Sequence, residues 1–298
     1  MLLSTLTLLA LPLVTSHGEI RVLQDGPPPE QEARDEKPLV RLKEWPKLTS
    51  KKRVQTDLQR LRKASTEEMA EQAREALVEA GAMVAPLLLK ALQKERDEDA
   101  RERIAQVLDA VVGAPHTRLL SPWFESKTLG VRIWALRRAA LYADAGLSEA
   151  AAAAWKRVGQ QKQPDPTEHF AAALCLVSTG DLAGMPLIVK RAQSNWKQDR
   201  LELRAVMEAV RGPEATKFLL ERLHQGERSE KSAALRLLAG CGVPESAGNL
   251  RRYLNSTDNG LRVDAINAAR GMILGEPPID RLPVFEAIEL AKQWLERV

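Results

Sequence analysis

Five side chains combine the residue types that are enriched where proteins bind one another: Trp134, Arg137, Arg204, Met207 and Arg236. Each lies one residue before or two residues after an alanine that recurs along the chain, and the same two positions also hold Asp264 and Asn267. Positions three residues apart share one face of a helix. The pattern therefore predicts a continuous ridge that contacts a partner through its guanidinium and apolar groups. The alternative is that these side chains pack between neighbouring helices.

A second group with binding chemistry is the basic segment 41–63, in which nine Lys or Arg and two acidic residues give a net charge of +7. Val54, Leu58 and Leu61 fall on one helical face of this segment, which predicts a helix that caps the rest of the fold and leaves its bases in water. The alternative is an arm that binds an anionic surface such as lipid or polysaccharide. Its contacts would be Lys51, Lys52 and Arg53.

Signals for catalysis or metal binding are sparse. The histidines are scattered, and no two of them stand at the spacing of a metal site: His17, His116, His169 and His224. The sequence contains no nucleophile elbow, phosphate-binding glycine loop or CxxC motif. We therefore expect a protein that is not an enzyme and has no catalytic residue, metal or cofactor.

The elements that must position these side chains recur about every thirty residues. Each contains a small alanine followed by a larger side chain: Ala76-Leu77, Ala105-Gln106, Ala135-Leu136, Ala173-Leu174, Ala205-Val206, Ala234-Leu235 and Ala265-Ile266. A unit of this size cannot cover its own apolar face, so successive units must stack. The alanine and the residues one and four positions after it are mostly small or apolar, and we expect them to face the core.

Capping signals predict where the helices begin. Ser65-Thr66-Glu67-Glu68 forms a capping box, and Asp165-Pro166 places an N-cap before a proline at the first helical position. Sustained alternation typical of strands is absent from the sequence. The predicted helices cover residues 66–80, 82–95, 97–112, 115–125, 128–143, 147–160, 166–179, 182–195, 199–211, 213–225, 228–240, 244–254, 259–273 and 284–297.

Several units share motifs with a known repeat family. The matching stretches are Val84-Ala85-Pro86-Leu87-Leu88, Gly184-Met185-Pro186-Leu187-Ile188, Val131-Arg132 with Ala135-Leu136, and Leu261-Arg262 with Ala265-Ile266. Over residues 66–275 the chain resembles short HEAT repeats of the phycobilisome-lyase-like type. The resemblance implies an all-α fold, a right-handed α-α superhelix of about six to seven helical hairpins. It also implies that Arg132, Asp258 and Arg262 belong to a structural ladder between repeats.

The array predicts the state of the two cysteines. Cys175 and Cys241 fall in units two apart, so they should lie roughly 20 Å from each other, beyond the reach of a disulfide. We therefore expect two free thiols.

Composition divides the chain into four parts. Residues 1–16 are almost wholly apolar or small and are predicted to be a signal peptide cut before His17. Residues 17–40, with a net charge of −3 and three consecutive prolines, are predicted to be a disordered linker. Residues 41–64 form the basic arm and capping helix, and residues 65–298 form the repeat array with a C-terminal capping helix.

These features favour an exported, periplasmic or extracellular scaffold that binds a protein or peptide partner along its curved surface. One alternative is an anion-binding envelope module that uses the basic arm. The other, implied only by the family resemblance, is a lyase-like enzyme that handles a chromophore. We expect a monomer, and no nucleic acid as partner.

Overall fold

The computed structural model describes residues 40–298, and every regular element in that range is a helix. The α-helices are α1 (Lys51–Arg62), α2 (Glu67–Glu79), α3 (Ala85–Lys94), α4 (Glu98–Val111), α5 (Leu129–Ala140), α6 (Ser148–Gly159), α7 (Pro166–Ser178), α8 (Met185–Ala209), α9 (Pro213–Gln225), α10 (Arg228–Cys241), α11 (Arg251–Leu254), α12 (Asn259–Leu274) and α13 (Val284–Leu295). Short 3₁₀ helices span Gly81–Val84, Ala114–Glu125, Ala145–Leu147, Leu182–Gly184 and Pro244–Leu250. The predicted signal peptide, 1–16, and all but the last residue of the predicted linker, 17–40, lie outside the described residues.

The helix boundaries follow the local signals in the sequence. Asp165 accepts two hydrogen bonds from backbone N–H groups at the start of α7, as predicted. At the start of α2 the N-cap is Thr66, which accepts from the Met69 N–H, so the predicted capping box of Ser65 and Glu68 does not form. The stretch predicted as a helix at 115–125 is a 3₁₀ helix with Pro122 inside it. In an α-helix the proline ring would clash with the carbonyl group four residues earlier. The helices predicted at 182–195 and 199–211 run together as α8, with non-helical backbone only at Asn195.

Helices pack in order along the chain, as expected for an α-helical solenoid. Each hairpin pairs a helix with its successor, as in α6 with α7, α9 with α10 and α11 with α12. The second helices also pack on one another, α5 on α7, α7 on α8, α8 on α10 and α10 on α12. We call α5, α7, residues 196–209 of α8, α10 and α12 the second-helix row. The predicted all-α solenoid is confirmed.

Small side chains let the second helices approach closely. A Cβ atom on Gly240 of α10 would lie 2.6 Å from Met207 of α8, and one on Gly271 of α12 would collide with the backbone carbonyl of Ala239 in α10. The motif alanines Ala135, Ala173, Ala234 and Ala265 are fully buried in this row, as the repeat predicted.

The unit of α4 departs from the predicted frame by one residue. Ala105 is only half-buried and Gln106 is exposed, whereas Ile104 and Leu108 are fully buried. The larger apolar side chains decide the orientation of this helix, because they remove more apolar area from water than an alanine does. The expectation that the motif alanine and its successor face the core is therefore wrong for this unit.

The expectation also fails for the alanine in two other units. Ala76 of α2 and Ala205 of α8 are only half-buried, although their successors Leu77 and Val206 are fully buried.

Both cysteines are free, as the array predicted, and the structure also shows that both are buried. Burial raises the pKa of Cys175 and of Cys241 to about 12. We therefore expect both thiols to be unreactive toward an aromatic disulfide reagent at pH 8 in the native protein, and two thiols per chain to react once it is denatured without reductant. Fast reaction of either thiol in the native protein would contradict the buried positions.

None of the helices in residues 40–298 combines the length and the apolar run that crossing a bilayer requires.

Candidate partner-binding surface

All five residues predicted to form the ridge lie on the second-helix row. Trp134 and Arg137 are on α5, Arg204 and Met207 on α8, and Arg236 on α10. The four other than Met207 are half-buried, but Met207 is only 1% exposed. It fills the space that Gly240 leaves on the neighbouring helix. Met207 is therefore a packing residue, and the expectation that it contacts a partner is not supported by its position.

Arg137 is held by carboxylates of another unit. Its guanidinium donates to both oxygens of Glu202, at 2.7 and 2.5 Å, and lies 3.8 Å from Asp199. Asp199 is 3% exposed and also accepts from Arg191, at 2.6 Å. Arg191 in turn lies over the ring of Phe170 in α7. This network joins α5 and α7 to both halves of α8, so Arg137 has a structural role in this state.

Arg236 is likewise engaged. Its Nε donates to Asp264 at 3.0 Å, the hydroxyl of Ser232 donates to the other oxygen of the same carboxylate, and its guanidinium lies 5.5 Å from the ring centre of Trp196. Burial raises the pKa of Asp264 above its ordinary value, although both donors favour the charged form. The group thus links α10 to α12 and to α8 at the half-buried centre of the row.

Trp134 contacts the unit before it. Its indole N–H donates to the carboxylate of Asp109 in α4 at 2.9 Å. One turn later in α5, the guanidinium of Arg138 donates to the backbone carbonyls of Asp109 and Val112. Long side chains therefore connect α4 to α5.

Arg204 differs from the other two ridge arginines. Among the described residues it has no hydrogen-bond or ion-pair partner, and its guanidinium is half-buried. Burial lowers its pKa, and the nearby carboxylate of Asp280 opposes this shift. Asp280 itself accepts from Arg200, one turn earlier on α8, at 2.8 Å. Arg204 is therefore a guanidinium available to bind a carboxylate.

A segment without regular structure lies against this part of the row. Residues 276–282, which we call the strap, connect α12 to α13. The side-chain amide of Asn267 on α12 donates to the carbonyl of Ile279 at 3.2 Å and accepts from the N–H of the same residue at 2.8 Å. Asn267 holds the same repeat position as Arg236, but the sequence did not predict a role for it. The backbone group that an amide binds cannot be predicted from the spacing of residues along a helix.

The basic residues predicted to bind an anion are exposed. Lys51, Lys52 and Arg53 form the first turn of α1, while Val54, Leu58 and Leu61 are buried, as the capping-helix interpretation requires. Lys52 and Arg53 border a cleft of about 700 Å³ between α1 and α2. Asp57 also lines this cleft and pairs with Arg53 and Arg60. The carboxylate offsets part of the positive charge there.

Two of the three residues that the family resemblance assigned to a ladder bridge units, and the third, Arg262, bonds only within its own unit. Arg132 of α5 binds both oxygens of Glu168 in α7, and Asp258 caps α12 while pairing with Arg228 of α10. Arg262 donates to the carbonyl of Ser256 in the preceding turn.

Compared with protein-family models and with curated proteins, the sequence has no match.

The relation to HEAT repeats therefore stays a prediction from the sequence motifs.

Within residues 40–298, no three His, Cys, Asp or Glu side chains converge as a metal site would require. The surface that carries the most binding chemistry is the part of the second-helix row formed by Arg200, Arg204 and Asn267, with Trp196 and Arg236 beside it.

Proposed function

We propose that this protein is a non-catalytic scaffold that binds a peptide segment of a partner protein along the second-helix row. The observation that carries the proposal is the pairing of Asn267 with both backbone groups of Ile279. An amide that donates to a carbonyl and accepts from an N–H of one residue recognises peptide backbone, whatever the side chain. The row thus has the chemistry to hold a non-helical chain, and this chain's own strap is an example.

Arginine and tryptophan beside that amide support the same proposal. Half-buried Arg204 offers a guanidinium to a carboxylate, and Trp196 under Arg236 offers an aromatic surface. These are the residue types that carry most of the energy at protein interfaces. The proposed setting is the periplasm or the extracellular space, which rests on the signal-like composition of residues 1–16.

The proposal is tested by selecting binders from displayed random peptides and titrating the best of them into the purified protein. We expect Arg204→Glu to weaken binding at least about tenfold, because a charge-assisted hydrogen bond becomes a like-charge contact. The thermal midpoint should change by no more than about 2 °C, since Arg204 has no ion pair to lose among the described residues. The nearby carboxylate of Asp280 is 68% exposed, so solvent screens its repulsion of the new glutamate.

Lys217→Glu is the matched control, because it makes the same charge change at an exposed position of α9, outside the second-helix row. Its binding should equal that of the unaltered chain. Unchanged binding by Arg204→Glu, or failure to select any peptide, would reject the proposed function.

Arg137 and Arg236 are not suitable for this test. Arg137→Glu would face the carboxylates of Glu202 and of buried Asp199, and Glu202 would lose its arginine. Arg236→Glu would likewise face the carboxylate of Asp264. Loss of binding by such a variant would then report unfolding as much as a lost contact.

A further inference from the structure

The strap is attached to the second-helix row at three points. Asn267 holds the backbone of Ile279, Arg200 binds Asp280 at 2.8 Å, and Arg270 binds Glu276 at 2.6 Å. All three contacts come from α8 or α12, the helices that pack on either side of α10. We call the surface that these side chains form beneath the strap the groove. Two of the three are ion pairs that involve acidic residues of the strap.

The ion pairs hold the strap weakly. The side chain of Arg200 is 42% exposed and that of Asp280 is 68% exposed. Solvent screens an exposed pair of this kind, so its net contribution is small. Glu276, Pro277 and Arg281 are also exposed, and Ile279 is only half-buried. Leu282, the last residue of the strap, packs against the core, so the apolar anchoring lies at that end and not at the two ion pairs. A competing segment therefore has little binding energy to overcome.

The amide beneath the strap requires an occupant. Asn267 is only 9% exposed, and without the Ile279 backbone it would lose a donor and an acceptor together. A buried polar group left unsatisfied is costly. The group that restores both bonds most directly is another peptide backbone in the same orientation.

The charge of the groove exceeds that of the strap above it. Arg200 and Arg204 are one helical turn apart on the same face of α8, but Asp280 pairs only with Arg200. A segment with a second carboxylate, or with one placed between the two guanidinium groups, would satisfy both.

We propose that this groove binds an acidic, non-helical segment of a partner protein, and that the strap occupies it until that segment displaces it. The partner segment presents an apolar residue to Asn267 through its backbone and an acidic residue to Arg200 and Arg204. This inference rests on the proposed function and names the chemistry of its partner.

The probe is a labelled synthetic peptide with the sequence of residues 275–282. It is titrated into the unaltered chain and into a strap-weakened chain carrying Ile279→Pro and Asp280→Asn. The Ile279→Pro change removes the N–H that donates to the Asn267 side chain, and the Asp280→Asn change removes the ion pair with Arg200. Asn267, Arg200 and Arg204 stay in place, so the groove itself is unchanged.

We expect the peptide to bind the strap-weakened chain at least about tenfold more tightly than the unaltered chain, because no tethered competitor remains. The same peptide with Asp280→Asn should bind at least about tenfold more weakly, and so should the original peptide to a strap-weakened chain carrying Arg204→Gln. The inference would be overturned if the peptide and its Asp280→Asn version bound equally tightly. It would also be overturned if the peptide had the same affinity for the unaltered and the strap-weakened chain.

Hydrogen exchange keeps the inference testable if the strap-weakened chain does not fold. In the unaltered chain, saturating peptide should speed exchange of the Ile279 amide, which Asn267 protects, and leave the amides of α12 protected. Unchanged exchange at saturation would also overturn the inference. If selected random peptides bind through Arg204 but carry no acidic residue, this inference fails and the proposed function stands; if no peptide binds at all, both fail.

Discussion

Replacing Gly271 by alanine is expected to destabilise the protein by about 3 kcal/mol, the upper part of the range for overpacking. The added Cβ would collide with the carbonyl of Ala239, which is backbone of α10 and cannot rotate away. Alanine improves helix propensity by about 1 kcal/mol, so the steric term must win by separating α10 from α12. Urea denaturation followed by circular dichroism measures the change in the free energy of unfolding.

Gly159→Ala is the matched control for this substitution. Gly159 ends α6, and no atom lies within 4 Å of the Cβ that alanine would add. The same chemical change should therefore stabilise the protein slightly, by about 0.5 kcal/mol or more. A Gly271→Ala variant as stable as the control would mean that the helix spacing in this row is wider than described.

Replacing Arg132 by methionine should lower the free energy of unfolding by about 3–5 kcal/mol, as expected when one partner of a buried ion pair is removed. Glu168 is 1% exposed and receives two hydrogen bonds from Arg132, at 2.6 and 2.9 Å. Arg157 donates a third, at 2.7 Å, but it cannot satisfy both carboxylate oxygens. Denaturant unfolding at pH 7 measures the loss.

Arg228→Met tests whether burial of the ion pair is the cause of the large loss of stability expected for Arg132→Met. Arg228 binds Asp258 with the same two-bond geometry, at 2.5 and 3.0 Å, but its side chain is 67% exposed. Solvent screens this pair, so its loss should change stability little. Equal losses for the two variants would contradict the role assigned to burial.

At acid pH the Arg132→Met variant and the unaltered chain should differ less in their free energy of unfolding than at pH 7. Burial raises the pKa of Glu168, but its arginine partners outweigh that effect and hold the pKa below the ordinary value of 4.5. The pair therefore stabilises the native chain above about pH 4.5, and this contribution is lost as the pH falls through the lowered pKa. In the variant the buried carboxylate favours its protonated form, so acidification costs it less. Measuring the free energy of unfolding from about pH 7 down to about pH 3 tests the sign.

Local sequence predicted most of the helices because their signals are local. The caps at Thr66 and Asp165 satisfy donors within three residues of themselves, and the recurring alanine marks the helix face that packs in most units. The buried stripe of α1 at Val54, Leu58 and Leu61 follows from helical periodicity alone. These features need no knowledge of distant residues.

The candidate surface was only partly predictable. The spacing of Arg137, Arg204 and Arg236 placed them correctly on one row of helices. Their partners could not be predicted, because Glu202 is 65 residues from Arg137 and the two meet only when α5 stacks near α8. For the same reason the periodicity did not distinguish Arg204, which has no partner in the described part of the chain, from its paired neighbours.

The sequence by itself determined that this chain forms stacked helices and which residue types line their second row. Tertiary structure alone decided that α4 turns by one residue to bury Ile104, that Met207 fills the space beside Gly240, and that the strap lies over Asn267. Helix formation depends on residues three or four positions apart. Burial and pairing depend on which units become neighbours, and that is settled by packing the whole array.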